Sequence, residues 1–231
     1  MTIKVSAITL DANGVLLLPD PDALRAVLER FDAYPDDETC WRAHYEMMHI
    51  LDQTDEPDWI EMNRALASAL GVSRRQRDEA APDVAATYLS DRWVAAPGAV
   101  ESLARLEADG YSLAVVSNTQ HGQMEALLAQ TGLCGVSEVH TRVAAVLDSH
   151  VLGFGKPDPR IFEMALIALS KTAGECVHVG DSVQLDVVGA TSAGVASVHV
   201  DPLGLCAAED HAHASSLAEF TDELLARSQT G

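Results

Sequence analysis

The 231-residue sequence predicts an α/β fold with a doubly wound parallel sheet and an all-helical insert after the first strand. Two observations lead to this prediction. Short apolar segments rich in β-branched residues alternate with helical patterns along most of the chain, which is typical of parallel sheets with helical crossovers. Residues 20–90, in contrast, carry helical periodicity and no convincing strand.

The elements of the sheet follow in order. Residues 3–10 alternate in polarity and predict the first strand, which ends at Asp11. Three later strands, separated by helical patterns, are predicted to be fully buried. They are expected at 112–116, 176–179 and 196–200, with helices at 98–109, 123–130, 159–170, 183–193 and 216–227.

The insert divides the chain into two predicted domains. Its helical patterns fall at 22–31, 38–51, 59–70 and 74–88. Proline and glycine mark both of its ends, as linkers to a movable lid would. We therefore expect an α/β core of residues 1–19 and 91–231, and a helical cap of residues 20–90.

Composition and charge exclude several classes of protein. The chain has 15 Lys and Arg against 35 Asp and Glu, a net charge of −20, so we expect neither nucleic acid nor an anionic membrane as its main partner. Its four cysteines form no CxxC pair, which indicates neither a disulfide framework nor a zinc site. Because no segment resembles a signal peptide or a membrane span, we expect a cytoplasmic protein. A monomer and a homodimer are both compatible with the sequence.

Polar residues follow the predicted strands where ligands bind in open α/β sheets, at the carboxyl ends. A single aspartate there is usually a turn or cap residue. Here several loops each contribute polar side chains, which chance does not readily explain. The candidates are Asp11, the Ser117-Asn118-Thr119 segment, Lys156, Asp181 and Asp186.

Four motifs in this order resemble those of the haloacid dehalogenase superfamily of hydrolases, which includes phosphatases with an aspartate nucleophile. The resemblance covers almost the whole chain and implies a Rossmann-like core with a cap. The third and fourth motifs are the most specific. The four matching segments are Asp11-Ala12-Asn13-Gly14-Val15-Leu16, Val116-Ser117-Asn118-Thr119, Lys156-Pro157-Asp158-Pro159-Arg160-Ile161-Phe162, and Gly180-Asp181-Ser182 with Asp186 and Gly189-Ala190-Thr191-Ser192-Ala193-Gly194.

The resemblance implies the chemistry of the first and fourth motifs. Asp11 would attack phosphorus and form an aspartyl-phosphate. Its carboxylate, the other acids and a substrate phosphate together carry enough negative charge to require a cation. Mg²⁺ suits such oxygen ligands, and the family pattern assigns it to Asp11, the main-chain carbonyl of Asn13, and Asp181. The substrate would be a small phosphorylated metabolite.

The other motif residues would support the transferring group. Lys156 is expected to neutralise the nucleophile and the phosphoryl oxygens. Ser117 and a main-chain N–H near Asn118 would hydrogen-bond those oxygens. Asp186 is expected to position Lys156 or a metal-bound water. A first-turn helix acid favoured by the helix dipole is the alternative interpretation of Asp186.

Asn13 departs from the family pattern. Phosphatases of the family have an aspartate there, which protonates the leaving group and then activates water, and an amide can do neither. The chain is therefore an impaired or non-catalytic binding member, an engineered trapped variant, or an enzyme whose leaving group needs no acid. Dehalogenases also lack that acid and remain an alternative, but Asp181 favours a metal-dependent phosphatase.

A short segment near the C-terminus is rich in metal-binding side chains. It reads Glu209-Asp210-His211-Ala212-His213. An exposed acidic loop is the favoured interpretation, and a transition-metal site is the alternative.

Overall fold

A computed structural model of the chain describes residues 5–54, 58–136 and 140–228. The chain forms two compact units. One comprises Met1–Leu17 and Ala95–Gly231, and the other comprises Leu18–Val94. Every residue of the candidate site belongs to the first unit.

A six-stranded parallel sheet forms the centre of the first unit and confirms the predicted α/β class. In spatial order it consists of β10 (Ala212–Ala214), β9 (Ala196–Val200), β8 (Cys176–Gly180), β1 (Ala7–Leu10), β4 (Ser112–Ser117) and β7 (Val146–Asp148).

The register of this sheet explains why the candidate residues meet. Leu10 at the end of β1 pairs with Val115 of β4 on one side and with Val179 of β8 on the other. All three strands run in the same direction, so the segments that follow them emerge at the same edge. Asp11, Ser117 and Asp181 come directly from these three strand ends.

Helices connect the strands, as expected from the apolar periodicity. Side chains of α8 such as Phe162 pack with Ala114 and Val116 of β4 in one buried cluster. The helices of this unit are α5 (Ala99–Ala108), α6 (Met124–Gln130), α7 (Ser149–Leu152), α8 (Pro159–Leu169), α9 (Val188–Ser192) and α10 (Leu217–Ser228). A π-helical turn, Val183–Val187, replaces the first half of the helix predicted at 183–193.

Two strand predictions need correction. The first strand begins at Ala7 rather than residue 3, and Ile3 and Lys4 lie outside the described residues. β9 is not fully buried, since Ala196 is exposed and the next two residues are half-buried. The physical reason is that β10 pairs only with residues from Val198 onward, which leaves the start of β9 at the edge of the sheet.

Several short strands escaped prediction because two or three residues are too few to show a period. Besides β7 and β10, they are β2 (Leu17–Pro19), β3 (Trp93–Ala95), β5 (Cys134–Gly135) and β6 (Thr141–Arg142). β2 pairs with β3, and β5 pairs with β6.

The second unit is built from helices, and its described residues from 20 to 90 contain no strand. Asp20 caps the first helix by accepting from the main-chain N–H of Asp22 and Ala23. A buried cluster that includes Leu28, Leu66 and Val84 holds the helices together. They are α1 (Pro21–Leu28), α2 (Asp37–Asp52), α3 (Trp59–Ala69) and α4 (Arg77–Tyr88), with a 3₁₀ turn at Glu29–Phe31. Among the described residues of both units, no helix has the length and apolarity needed to cross a membrane.

Candidate active site

The loop after β1 presents Asp11 and then turns back sharply. The Asp11 main-chain N–H donates to Val179 O (2.8 Å), and its Oδ1 accepts from the N–H of Ala12 (2.7 Å), so both its main chain and its carboxylate are fixed. Gly14 follows with a φ of +77°, and a Cβ there would overlap the carboxylate of Asp181. Glycine is therefore required both for the turn and for the close approach of Asp181.

Three carboxylates converge beside this turn. One oxygen each from Asp11, Asp181 and Asp186 lies within 4.8 Å of the others, and all three side chains are buried. Unit charges about 4 Å apart repel by about 4 kcal/mol at an effective dielectric constant near 20. We call these three residues the carboxylate cluster. Its oxygens are ligands of the type that Mg²⁺ prefers.

Lys156 supplies the positive charge of this cluster. Its Nζ lies 2.7 Å from Asp11 Oδ1 and 2.7 Å from Asp186 Oδ1, and its side chain is 1% exposed. Asn118 holds the lysine's main chain, since its Nδ2 donates to Lys156 O (2.9 Å) and its Oδ1 accepts from Lys156 N–H (2.8 Å). The amide of Asn118 thus positions the loop that carries the lysine.

A buried chain of hydrogen bonds continues from Asp186 into the sheet. The Nε2–H of His178 donates to Asp186 Oδ1 (2.9 Å), because a carboxylate can only accept. Nδ1 of the neutral ring then accepts from the hydroxyl of Thr9 (3.0 Å). Asp186 also accepts from the main-chain N–H of Ser182 (3.1 Å). Asp186 is therefore bonded to Lys156 and to His178, and its functional role stays a prediction.

Sequence reasoning missed His178 and Thr9. Both are buried polar residues inside strands that otherwise consist of apolar residues. This was the signal that could have identified them, since a buried polar side chain needs a partner. Which partner it has depends on the register between β1 and β8, where Thr9 lies opposite His178.

The pKa values reflect the crowding of charges. Burial raises the pKa of Asp11 well above its usual range; Lys156 opposes that shift, whereas Asp186 and Asp181 add to it. Burial alone would also raise the pKa of Asp186, but Lys156 and His178 together hold it well below its usual range. Burial would lower the pKa of Lys156, yet the charges of Asp11 and Asp186 outweigh burial and raise it. Lys156 and Asp186 thus form a stable ion pair, and a further cation would favour ionised Asp11.

Two polar groups of the predicted site are buried and have no hydrogen-bond partner within residues 5–54, 58–136 and 140–228. They are the Oγ of Ser117, at the end of β4, and the side-chain oxygen of Asn13. Buried polar atoms of this kind normally have a partner, so each is suited to receive a bound ligand or water. Together with the all-oxygen carboxylate cluster, they fit a site for a divalent cation and an oxyanion.

The structure thus brings Asp11, Asp181, Asp186 and Lys156 together and places Asn118 against the lysine loop. Ser117 emerges at the same edge of the sheet. Beside it, the Thr119 main-chain N–H donates to the hydroxyl of Ser149 (2.9 Å). The roles of these residues toward substrate and metal stay predictions.

Comparisons with known proteins agree with the motifs. The family model of haloacid dehalogenase-like hydrolases matches residues 5–194. Phosphoserine phosphatase of Thermus thermophilus is 37% identical over 139 residues, which are 59% of this chain and 51% of that protein. Phosphoglycolate phosphatase of Mesorhizobium japonicum is 34% identical over 105 residues, or 46% of this chain and 43% of that protein. The chain therefore spans about half the length of these relatives.

Two further proteins match over nearly their full length. A phosphatase of Mycobacterium tuberculosis is 27% identical over 205 residues, which are 87% of this chain and 90% of that protein. The structure of YfnB from Bacillus subtilis, solved with bound magnesium, has a TM-score of 0.64 at 16% identity and covers 96% of this chain and 99% of its own. This last likeness concerns the fold. Because the family match extends over residues 5–194, the chain belongs to the haloacid dehalogenase-like hydrolases.

Proposed function

We propose that this chain is a Mg²⁺-dependent phosphomonoester hydrolase that acts on a small phosphorylated metabolite through an aspartyl-phosphate on Asp11. One observation carries the proposal. Three buried carboxylates gather within 4.8 Å of one another, and the ammonium group of Lys156 is bonded to two of them, Asp11 and Asp186. Such a cluster suits a divalent cation and, with it, an anionic substrate.

Asp11, the main-chain carbonyl of Asn13, and Asp181 would hold the ion. When bound, Mg²⁺ would neutralise negative charge shared by the nucleophile and the phosphoryl oxygens. Gly14 supports this assignment because it lets Asp181 approach the loop after β1. The structure of YfnB, which has a similar fold, contains bound magnesium.

Asp11 would act as the nucleophile, with Lys156 holding it in place. A carboxylate oxygen of Asp11 attacks phosphorus while the bond from phosphorus to the leaving oxygen breaks, and the leaving oxygen keeps the electron pair of that bond. Lys156 contacts Oδ1 of Asp11 at 2.7 Å and, through Asp186, is fixed before the substrate arrives. Such preorganised charge costs no rearrangement during the reaction.

Ser117 would bind the transferring group. Ser117 is 1% exposed, and its hydroxyl has no hydrogen-bond partner in the part of the chain that the structure describes, so it can donate to a phosphoryl oxygen without breaking an existing bond. A main-chain N–H near Asn118 would add a second donor. The side chain of Asn118 is already used to hold the main chain of Lys156.

Asn13 would limit the second half of the reaction. Water must attack the aspartyl-phosphate, and its proton needs an acceptor, which an amide does not provide. A positioned acid or base contributes about 10²–10⁴-fold. We therefore expect slow turnover and accumulation of phosphorylated Asp11 with substrates whose leaving group needs no protonation.

The helical unit, predicted at residues 20–90, would act as the cap that selects the substrate. Related proteins named for phosphoserine and phosphoglycolate suggest a small, charged phosphomonoester. Closure of such a unit would exclude bulk water from the acyl phosphate.

Replacement of Asn13 tests the proposal. With p-nitrophenyl phosphate and Mg²⁺, Asn13→Asp should raise turnover by about 10²–10⁴-fold, since it restores the acid and base. The parent chain should instead release p-nitrophenol in a burst equal to the enzyme concentration and gain one phosphoryl group by mass spectrometry. Asn13→Asp combined with Asp11→Asn is the matched control and should show neither activity nor label. No gain in turnover together with no label on Asp11 would refute the proposal.

Asn13 also favours one second candidate, a halide-releasing enzyme, because halide needs no protonation. A 2-haloacid brings one negative charge, fewer than a phosphate, and would not require a cation beside Asp11. Release of halide in excess chelator would support this function, whereas the metal-ligating position of Asp181 supports the phosphatase.

A further inference from the structure

A second group of metal-binding side chains lies at the other flank of β8. It consists of His199 in β9, Cys206 in the following loop, His211 just before β10, and His213 in β10. One ligating atom from each side chain lies within 4.8 Å of the other three. We call these four residues the His/Cys cluster.

His199 is the buried member, with 5% of its surface exposed. Its Nε2 lies 3.2 Å from the main-chain oxygen of Asp181. Because a carbonyl oxygen only accepts, Nε2 carries the hydrogen, and Nδ1 carries the lone pair. Nδ1 is buried and has no hydrogen-bond partner among the described residues. The ring is thus held in a tautomer whose Nδ1 is available to a metal ion.

His211 is in the opposite tautomer to His199, with the hydrogen on Nδ1. Its Nδ1 lies 2.7 Å from Oδ1 of Asp210, and an ionised carboxylate accepts that hydrogen. Its Nε2 therefore carries a lone pair, and it lies 3.0 Å from Nε2 of His213 and 3.7 Å from Sγ of Cys206. A hydrogen bond between the two histidines would occupy those nitrogens but would leave His199 Nδ1 without a partner.

The loop that carries Cys206 is itself fixed. Asp201 accepts from the main-chain N–H of Cys206 (2.8 Å) and of Leu205 (3.1 Å). This brings the thiol toward the histidines without a large entropic cost at the moment of binding. Both the sulfur and the ring nitrogens are therefore positioned before any ion arrives.

Two of the separations between ligand atoms are close to those around one tetrahedral ion. Zn–N bonds of about 2.0–2.1 Å and Zn–S bonds of about 2.3 Å place neighbouring ligand atoms roughly 3.3–3.6 Å apart. The observed separations of 3.0 Å between the histidine nitrogens and 3.7 Å between sulfur and nitrogen lie close to this range. Three imidazoles and a thiolate select zinc or a similar borderline metal, and they do not suit Mg²⁺.

We propose that His199, Cys206, His211 and His213 form a structural Zn²⁺ site. Binding would form three Zn–N bonds and one Zn–S bond, and the thiol proton would pass to solvent. Because all four positions come from the protein, the ion is expected to hold the 201–213 segment on β9 rather than to activate water. Through its other nitrogen, His199 would carry this restraint to the main chain of Asp181.

Cobalt substitution tests the site, because Co²⁺ bound to a thiolate gives a charge-transfer band that oxygen ligands do not give. We expect the parent chain, in excess Mg²⁺, to bind one Co²⁺ with that band, and Zn²⁺ to abolish it by displacement. Cys206→Ser should lose the band, whereas His49→Ala, which changes a histidine of α2, should keep it. Asp210→Asn should weaken binding by about 10-fold, the lower end for a residue that supports a ligand, since Asp210 is 86% exposed.

A second measurement uses the parent chain alone. Zn²⁺ should protect Cys206 from a thiol reagent, with the labelled residue located by mass spectrometry. A folded chain that shows no thiolate band, or a band that persists in Cys206→Ser, would overturn the proposal. So would equal labelling of Cys206 with and without Zn²⁺. None of these results depends on whether the chain hydrolyses phosphate esters.

Discussion

Asp181 links the carboxylate cluster to the His/Cys cluster, and the two clusters differ in charge. Asp181 contributes its side chain to the first and its main-chain oxygen to the second. The carboxylate cluster contains three acids and requires Lys156 even before a ligand binds. The His/Cys cluster contains no carboxylate, so it needs no internal cation.

This difference determines how each cluster is stabilised. Buried like charges destabilise a fold unless they are paired, so the carboxylate cluster is tied into a network from Thr9 to Lys156. Neutral rings can be held by single hydrogen bonds to Asp181 O and Asp210. Hence the first cluster should respond strongly to loss of its lysine, and the second to loss of its ligand atoms.

Removal of the lysine should have the largest effect. In Lys156→Met, Asp11 and Asp186 lose their common cation, and we expect the free energy of unfolding to fall by about 3–5 kcal/mol. Denaturant unfolding in Mg²⁺-free buffer measures this. Lys171→Met is the matched control, since its Nζ contacts only Ser6 Oγ among the described partners, and it should cost less than about 1 kcal/mol.

The same variant has a predicted pH dependence. In the parent, the pKa of Asp186 lies well below its usual range, so its contribution to stability is present at neutral pH and is lost only in strong acid. Without Lys156, burial should raise that pKa above the unfolded value, so stability should fall as pH rises. Equal stability of Lys156→Met at pH 5 and pH 8 would contradict this account.

A metal titration should separate the two clusters. At one hundred times its dissociation constant, Mg²⁺ should stabilise the parent chain by about 2.7 kcal/mol. Asp181→Asn should remove most of this gain and keep the cobalt–thiolate band, because the main-chain oxygen that His199 contacts is retained. Cys206→Ser should show the reverse pattern. Thermal melting with and without each metal measures both, and parallel losses in the two variants would mean that the clusters are one site.

The sequence allowed the order of the sheet elements and the main members of the carboxylate cluster to be predicted. Alternating polarity identifies β1, patterns of buried residues identify β4, β8 and β9, and acids that follow parallel strands must meet at one edge. The short strands β7 and β10 could not be predicted, because their few residues gain order only from neighbouring strands.

The partners of buried polar groups could not be predicted either, because they depend on register. His178 lies in a strand whose neighbours are apolar, and nothing local shows that Thr9 and Asp186 flank it. The His/Cys cluster illustrates the same limit. The spacing of the cysteines suggested no zinc site, and the His211 segment was interpreted as an exposed acidic loop. Only the pairing of β9 with β10 brings His199 beside it.

The smallest predicted effect concerns Thr9. This residue ends the chain of hydrogen bonds that runs from Lys156 through Asp186 and His178. Thr9→Val keeps the shape of the side chain but removes the hydroxyl that donates to Nδ1 of His178 (3.0 Å). A buried acceptor without a partner costs about 1–3 kcal/mol, and we expect the lower half of that range because Asp186 still fixes the ring. Denaturant unfolding measures the loss, and Thr9→Ser, which retains the hydroxyl, is the matched control. The cobalt–thiolate band should be unchanged in both variants, since Thr9 contacts no member of the His/Cys cluster among the described hydrogen bonds. If Thr9→Ser lowered the free energy of unfolding as much as Thr9→Val, packing and not the hydrogen bond would hold His178 in place.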